Sequence, residues 1–276
     1  MAIKNLDNTF KKIPWNLRIS TFKSLYNAGS GHVGPCMSMA EILTCLFFKE
    51  MNINETKDLS DRFILSKGHG VPILYSTYAE LGLIKLEELN SLRQIDSRLQ
   101  GHPDKVSLDI LDSGSGALGQ GLSISIGYAL AQVLKNSSCN TYCLLGDGEM
   151  QEGQIWEAIM YAGVKKIKNL CVLLDNNKFQ NEVSVAETLG KITFEEKLKS
   201  FGWNYISVDG HSLEEILNAL ANFKSSDLPT FIDAHTIKGK GADFMENNNT
   251  WHSKVLNEEN FLNAISQCER KINEIN

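Results

Sequence analysis

Two apolar runs, Tyr142-Cys143-Leu144-Leu145 and Leu170-Cys171-Val172-Leu173-Leu174, end in hard oxygen donors roughly thirty residues apart. The first runs into Gly146-Asp147-Gly148-Glu149 and the second into Asp175-Asn176-Asn177. The interval matches one strand-helix-strand unit, and unbroken apolar runs are what strands covered on both faces require. In such a unit the strands are parallel. Asp147 and Asn177 then leave the same edge of the sheet, the carboxyl ends of the strands, where α/β folds collect ligands.

The residue types at that edge suit a divalent cation on a phosphate. Mg2+ takes about six oxygens and is usually held by one or two carboxylates together with substrate phosphates, so one Asp, one Asn carboxamide and a backbone carbonyl suffice. Gly146 and Gly148 let the backbone approach phosphate oxygens that a Cβ would obstruct. A helix expected over 151–168, with Ile155, Trp156, Ile159, Gly163, Val164 and Ile167 on one face, would turn its positive N-terminal end toward an anion. Either loop alone reads as an ordinary turn. The pair at this spacing, each after a buried-looking strand, points to a metal diphosphate clamp.

The remaining pattern alternates helix and strand, as a doubly wound α/β fold with a mostly parallel sheet and helices on both faces requires. Helices are expected over 14–27 behind Pro14, from Ser38 with Glu41 as a capping box, over 119–135, over 194–200 behind Thr193, from Ser212 with Glu215 as a second box, and over 257–275. Strands are expected over 62–65, 203–208 and 230–235. No repeat or linker interrupts residues 1–276, so a single domain is expected.

Composition narrows the function classes. A net charge of −6 disfavours nucleic acid, and no apolar run approaches the ~20 residues that span a bilayer. The N-terminal dozen or so residues lack the apolar core of a secretory signal. The six cysteines have neither zinc nor redox spacing and sit mostly in apolar runs, which fits reduced thiols in a cytoplasmic protein.

Further blocks fall in a specific order: Ser30-Gly31-His32-Val33-Gly34, Phe63-Ile64-Leu65-Ser66-Lys67-Gly68-His69-Gly70, Gly101-His102-Pro103, Leu118-Gly119-Gln120-Gly121, the Gly146 to Gly153 stretch and Trp251-His252. Together with the Asp147 and Asn177 loops, they resemble the amino-terminal, diphosphate-binding part of the transketolases. The resemblance implies a thiamine diphosphate-binding fold and Mg2+, with Ca2+ or Mn2+ as substitutes. Asp147, Asn177 and the carbonyl of Phe179 would hold the metal. Gly116, Ala117 and Leu118 would contact the aminopyrimidine ring, Gly148 and Asn177 the diphosphate. His69 would lie beside the cofactor, His32 and His102 at the sugar hydroxyls, and His252 near the diphosphate with a part in proton transfer. Glu152 and Glu157 look like the family's acidic pair where two halves of the site meet. His211 reads as a turn residue, and His235 is left open.

A complete transketolase is roughly twice as long as this chain. The resemblance therefore implies one subunit of a split enzyme, joined to a C-terminal partner that carries the pyrimidine-binding domain and the glutamate that activates the cofactor. An α2β2 assembly acting on sugar phosphates would follow. Three departures leave the sugar open: Asn181-Glu182-Val183, where relatives usually have an apolar residue and then Asp-Gly; Ala117, for a commoner proline or serine; and Ser253, for a glycine. An unusual ketose in a specialised pathway fits these changes. Two other thiamine-dependent classes fit the sequence less well. The Ser30 and Phe63 blocks disfavour a 2-oxo acid dehydrogenase alpha-like subunit, and Gln151-Glu152-Gly153 disfavours a deoxyxylulose phosphate synthase-like one. A non-catalytic regulator is disfavoured by the intact Asp147, Asn177, His69 and His32.

Overall fold

The strand runs alternate their side chains between two separate cores. In the strand Thr141–Gly146, Tyr142 and Leu144 pack on one side while Cys143 and Leu145 pack on the other. In Leu170–Asn176, Cys171 and Leu173 oppose Val172 and Leu174 in the same way. Both faces must therefore be covered by helices, which explains why these runs show no polar alternation. The computed structural model describes residues 6–54, 56, 59–181, 183–190 and 193–275.

In chain order the elements are α1 (Asn8–Ala28), α2 (Val33–Met37), α3 (Ala40–Cys45), β1 (Arg62–Leu65), α4 (Val71–Glu80), α5 (Gln120–Leu134), β2 (Thr141–Gly146), α6 (Gly153–Val164) and β3 (Leu170–Asn176). They continue with α7 (Val185–Leu189), α8 (Phe194–Ser200), β4 (Asn204–Asp209), α9 (Leu213–Ser225), β5 (Thr230–His235) and α10 (Glu258–Glu274). Among the described residues the five strands are all parallel, in the order β1-β2-β3-β5-β4. The expected α/β architecture with helices on both faces is what the chain adopts. Gly146 lies in register with Asp175, so the Asp147 and Asn177 loops emerge side by side.

Several local expectations are corrected. Pro14 lies inside α1, which starts at Asn8 because Asp7 caps it by accepting the Phe10 N–H at 2.8 Å. Burial of Phe10, Pro14 and Leu17 holds the helix through the missing proline donor. Ser38 starts no helix: it is the C-terminal cap of α2, its hydroxyl donates to Asp175 at 2.6 Å, and the backbone there breaks into α2 and α3. Glu41 is spent on Arg18, which it meets at 2.7 and 2.8 Å. Helix α6 starts at Gly153 rather than 151, after a short 3-10 turn. Thr193 precedes α8 without a side-chain cap, and Ser212 accepts the Glu215 N–H while Glu215 turns to the Asp209 N–H.

All six cysteines are buried, and none is paired in a disulfide. Among the described residues no helix is long and apolar enough to cross a membrane.

Candidate active site

Loops leaving the carboxyl ends of β1, β2, β3 and β5 enclose a cavity of about 410 Å³. On its floor, Asp147 follows β2 and Asn177 follows β3; both are buried, at 3 % exposure each. Asp147 accepts the Gly148 N–H at 2.8 Å and also the N–H of Lys178. Lys178 can aim that donor because its backbone is left-handed, at φ 74, an unfavourable setting for a lysine that the surrounding loop maintains. The Asn177 amide donates to Asp175 at 3.2 Å, and its carbonyl accepts the Phe179 N–H at 3.1 Å. Phe179 and Gly148 line the same cavity. A Cβ on Gly148 would sit 2.8 Å from Gln180 Cβ, so that approach needs glycine.

Four imidazoles form the facing wall. His32 stands 5.3 Å from His69, 5.3 Å from His252 and 6.2 Å from His102, ring centre to ring centre. His32 Nδ1 is buried with no hydrogen-bond partner, an orphaned polar atom that a ligand would satisfy. Burial, then His102 and Arg93, push His32 down to about 4. Burial, then Lys238, push His252 down to about 3, and His69 lies well below the ordinary range through burial and the Lys67 charge. The cluster is therefore neutral at physiological pH, and each ring offers one donor and one acceptor.

Of the remaining predicted residues, Gly116 and Leu118 line the cavity, whereas Ala117 and Glu152 do not. Glu152 is exposed at the start of α6, its Cβ 2.9 Å from where a Cβ on Gly119 would be, and Glu157 is exposed further along the helix. The Asn181 side of the wall is in place, while Glu182 lies outside the described residues. His211 is more than a turn residue: Nδ1 meets Glu41 at 3.0 Å and Nε2 accepts the Ile237 N–H at 2.8 Å. His235 lies off the cavity, against Lys178 and Ser207.

Sequence reasoning assigned no role to Lys67, Lys238 or Asp175. Asp175 is fully buried and accepts from Lys67, Ser38, Thr236 and Asn177. Burial alone would raise its carboxyl, but Lys67 outweighs that and holds it below the usual range. At Asp147, burial and then the Asp175 charge outweigh the pull of Lys67 and push it up to about 7. Glu149 accepts the Ser66 hydroxyl, the Gly119 N–H at 2.8 Å and the Gly146 N–H at 3.1 Å, so it ties the Leu118 loop to the Asp147 loop. The one available signal was a lysine or carboxylate placed at the end of an apolar strand.

Residues 11–269 match the family described as transketolase, thiamine diphosphate binding domain. The chain belongs to the transketolase family. The human transketolase is 41% identical over 244 residues, covering 87% of this chain and 39% of that protein. The chain thus spans about two fifths of the full-length transketolases it matches. The 6-deoxy-6-sulfo-D-fructose transketolase subunit SqwG of Clostridium sp. (strain MSTE9) is 37% identical over 259 residues, covering 92% of this chain and 94% of that subunit. Among solved structures, the transketolase of Campylobacter jejuni superposes with a TM-score of 0.88 at 32% identity, over 96% of this chain and 43% of that one. As a transketolase-family domain, the chain carries the thiamine diphosphate-binding fold that its sequence motifs implied.

Proposed function

We propose that this chain, as one domain over 1–276, is the diphosphate-binding subunit of a two-chain transketolase. With a C-terminal partner that carries the pyrimidine-binding domain and its glutamate, it would move a two-carbon ketol unit from a ketose to an aldose. The carrying observation is the convergence of Asp147 and Asn177 on a cavity walled by four neutral imidazoles. The near-complete coverage of the sulfofructose transketolase subunit, against two fifths of the human enzyme, supports the split arrangement.

The donor set fits Mg2+, with Ca2+ or Mn2+ as substitutes. Asp147 brings one buried carboxylate held up at about 7, whose charge a cation would compensate, and Asn177 and the Phe179 carbonyl bring neutral oxygens. Asp147 is the one charged donor of this set, so the diphosphate would supply the remaining negative charge. Thiamine diphosphate, when bound, supplies the carbanion chemistry of ketol transfer. The chain's own residues do the rest. Gly148 admits the phosphate oxygens, Gly116 and Leu118, which line the same cavity, would contact the aminopyrimidine ring, and His69 and His252 hydrogen-bond anionic oxygens. His32 and His102 orient the sugar hydroxyls. Their neutrality suits that work, because a neutral ring both donates and accepts. Ala117, Glu152 and Glu157, outside the cavity, would meet the partner.

An α2β2 assembly in the cytoplasm is the form we infer. A substrate other than the common sugar phosphates is favoured by the similarity to the sulfofructose subunit and by the Asn181 to Val183 departure in sequence, of which Asn181 lines the cavity. Calorimetry with thiamine diphosphate and Mg2+, followed by ketol-transfer assays with and without the partner chain, tests the reading. Full turnover by the isolated chain would overturn it.

A further inference from the structure

The ammonium of Lys238, which leaves β5 and is almost fully buried, has three hydrogens and three acceptors. They are the Gln180 carbonyl at 2.9 Å, Asn249 Oδ1 at 2.6 Å and His252 Nδ1 at 3.0 Å. The Asn249 orientation is fixed independently, since its amide nitrogen donates to the Asn181 carbonyl at 3.0 Å and leaves Oδ1 for Lys238. A lysine ammonium only donates. His252 Nδ1 must therefore carry its lone pair toward Lys238, and the ring proton of the neutral imidazole sits on Nε2.

His252 lines the cavity beside His32 and His69, and among the described residues Nε2 has no hydrogen-bond partner. We propose that Lys238 is the positioning residue that locks His252 as a donor: with Nδ1 occupied, the ring presents only an N–H to the cavity and takes no proton from a ligand. This departs from a role for His252 as proton acceptor. The lone pair that such a role needs faces a buried ammonium, and moving it to Nε2 would set an Nδ1–H against a Lys238 N–H.

The Lys238 loop is itself braced from below. Arg18 pairs with Glu41, Glu41 meets His211, and His211 Nε2 accepts the N–H of Ile237, the residue before Lys238. That chain of buried contacts places the ammonium without using any group of the cavity.

The test has two arms, and the first does not depend on the transketolase reading. Long-range proton–nitrogen correlation spectra of the full 15N-labelled chain at neutral pH report the tautomer of His252, assigned by its loss in His252→Gln. A single Nε2–H tautomer is expected, with Lys238→Met populating both forms. An Nδ1–H tautomer in the unaltered protein overturns the proposal whether or not the Lys238 variant folds, and so does an unchanged tautomer in Lys238→Met. The second arm rests on the proposed function and uses the chain with its partner. His252→Gln, which keeps a donor at the position of Nε2–H, should stay within about tenfold of the unaltered rate, while His252→Ala loses about 10²–10³-fold. Equal loss in both variants overturns the donor role. Absence of turnover in the unaltered complex would count against the reading of function and leave the tautomer result standing.

Discussion

Lys67 and Asp175 form an ion pair closed to water on both sides, with side-chain exposures of 2 % and 0 %. It joins the exit of β1 to the end of β3, with Lys67 lining the cavity, and the Pro35 carbonyl accepts a further bond from Lys67 at 3.2 Å. Removing one partner leaves the other charge buried and uncompensated, which costs about 3–5 kcal/mol. Lys67→Met should therefore lower the urea unfolding free energy by that order. Lys67→Met combined with Asp175→Leu should recover part of the loss. A double variant that is no better than the single one would show that packing, not charge, carries the effect.

Asp147 behaves in the opposite way. Burial and Asp175 raise its folded pKa to about 7, above the value in the unfolded chain, so the folded form keeps a proton that the unfolded form has released. Its contribution falls as pH rises from the ordinary carboxylate range through about 7. In the absence of metal, Asp147→Asn should be more stable than the unaltered protein at pH above 7, by about 2–4 kcal/mol, and equal to it in acid. The same variant should lose Mg2+-dependent binding of thiamine diphosphate by calorimetry. Undiminished binding would remove Asp147 from the metal site.

The depressed imidazoles give an acid limit of different sign. His252 is held near 3, well below its unfolded value, so the unfolded chain binds the proton first and stability drops as pH falls below about 6.5. Relative to His252→Gln, the unaltered protein should lose up to about 1.4 kcal/mol per pH unit below that point, levelling off near 3. Urea midpoints at pH 7, 6 and 5 would show it, and parallel curves for the two proteins would refute it. His32 should follow the same course, ending near 4.

Two glycines in neighbouring helices make a paired test of packing. A Cβ on Gly163 in α6 would lie 1.9 Å from the Phe201 carbonyl oxygen, while one on Gly127 in α5 meets nothing within 4 Å. Gly163→Ala should cost at least about 1–3 kcal/mol because backbone must shift. Gly127→Ala should gain about 0.5–1 kcal/mol from helix propensity. Thermal unfolding of both variants checks the contrast.

The sheet was legible because burial on two faces leaves β2 and β3 uninterrupted by polar residues, and because a parallel pair needs a crossover of the observed length. Asp147 and Asn177 were legible because hard oxygen donors follow those two strands, whereas the four cavity histidines were marked only by the ordered blocks that resemble the transketolases. Other features depend on contacts that no local pattern reports. Asp175 looked like part of a loop signal, yet it sits inside the strand and draws donors from residues 38, 67 and 236. Ser38 satisfied the spacing of a helix cap, but its hydroxyl found that buried carboxylate instead. Pro14 read as a helix start because proline is favoured there, and the Asp7 cap seven residues earlier prevailed.

Because all five strands point the same way, every loop that builds the cavity gathers on one rim, while Asn140, Asn169 and Pro229, which lead into β2, β3 and β5, lie on the other. The far rim is thus a natural anchoring point. A tether, label or solid support attached near Ser137, Ser226 or Asp227 would leave the mouth unobstructed, so the protein can be immobilised with its chemistry facing outward.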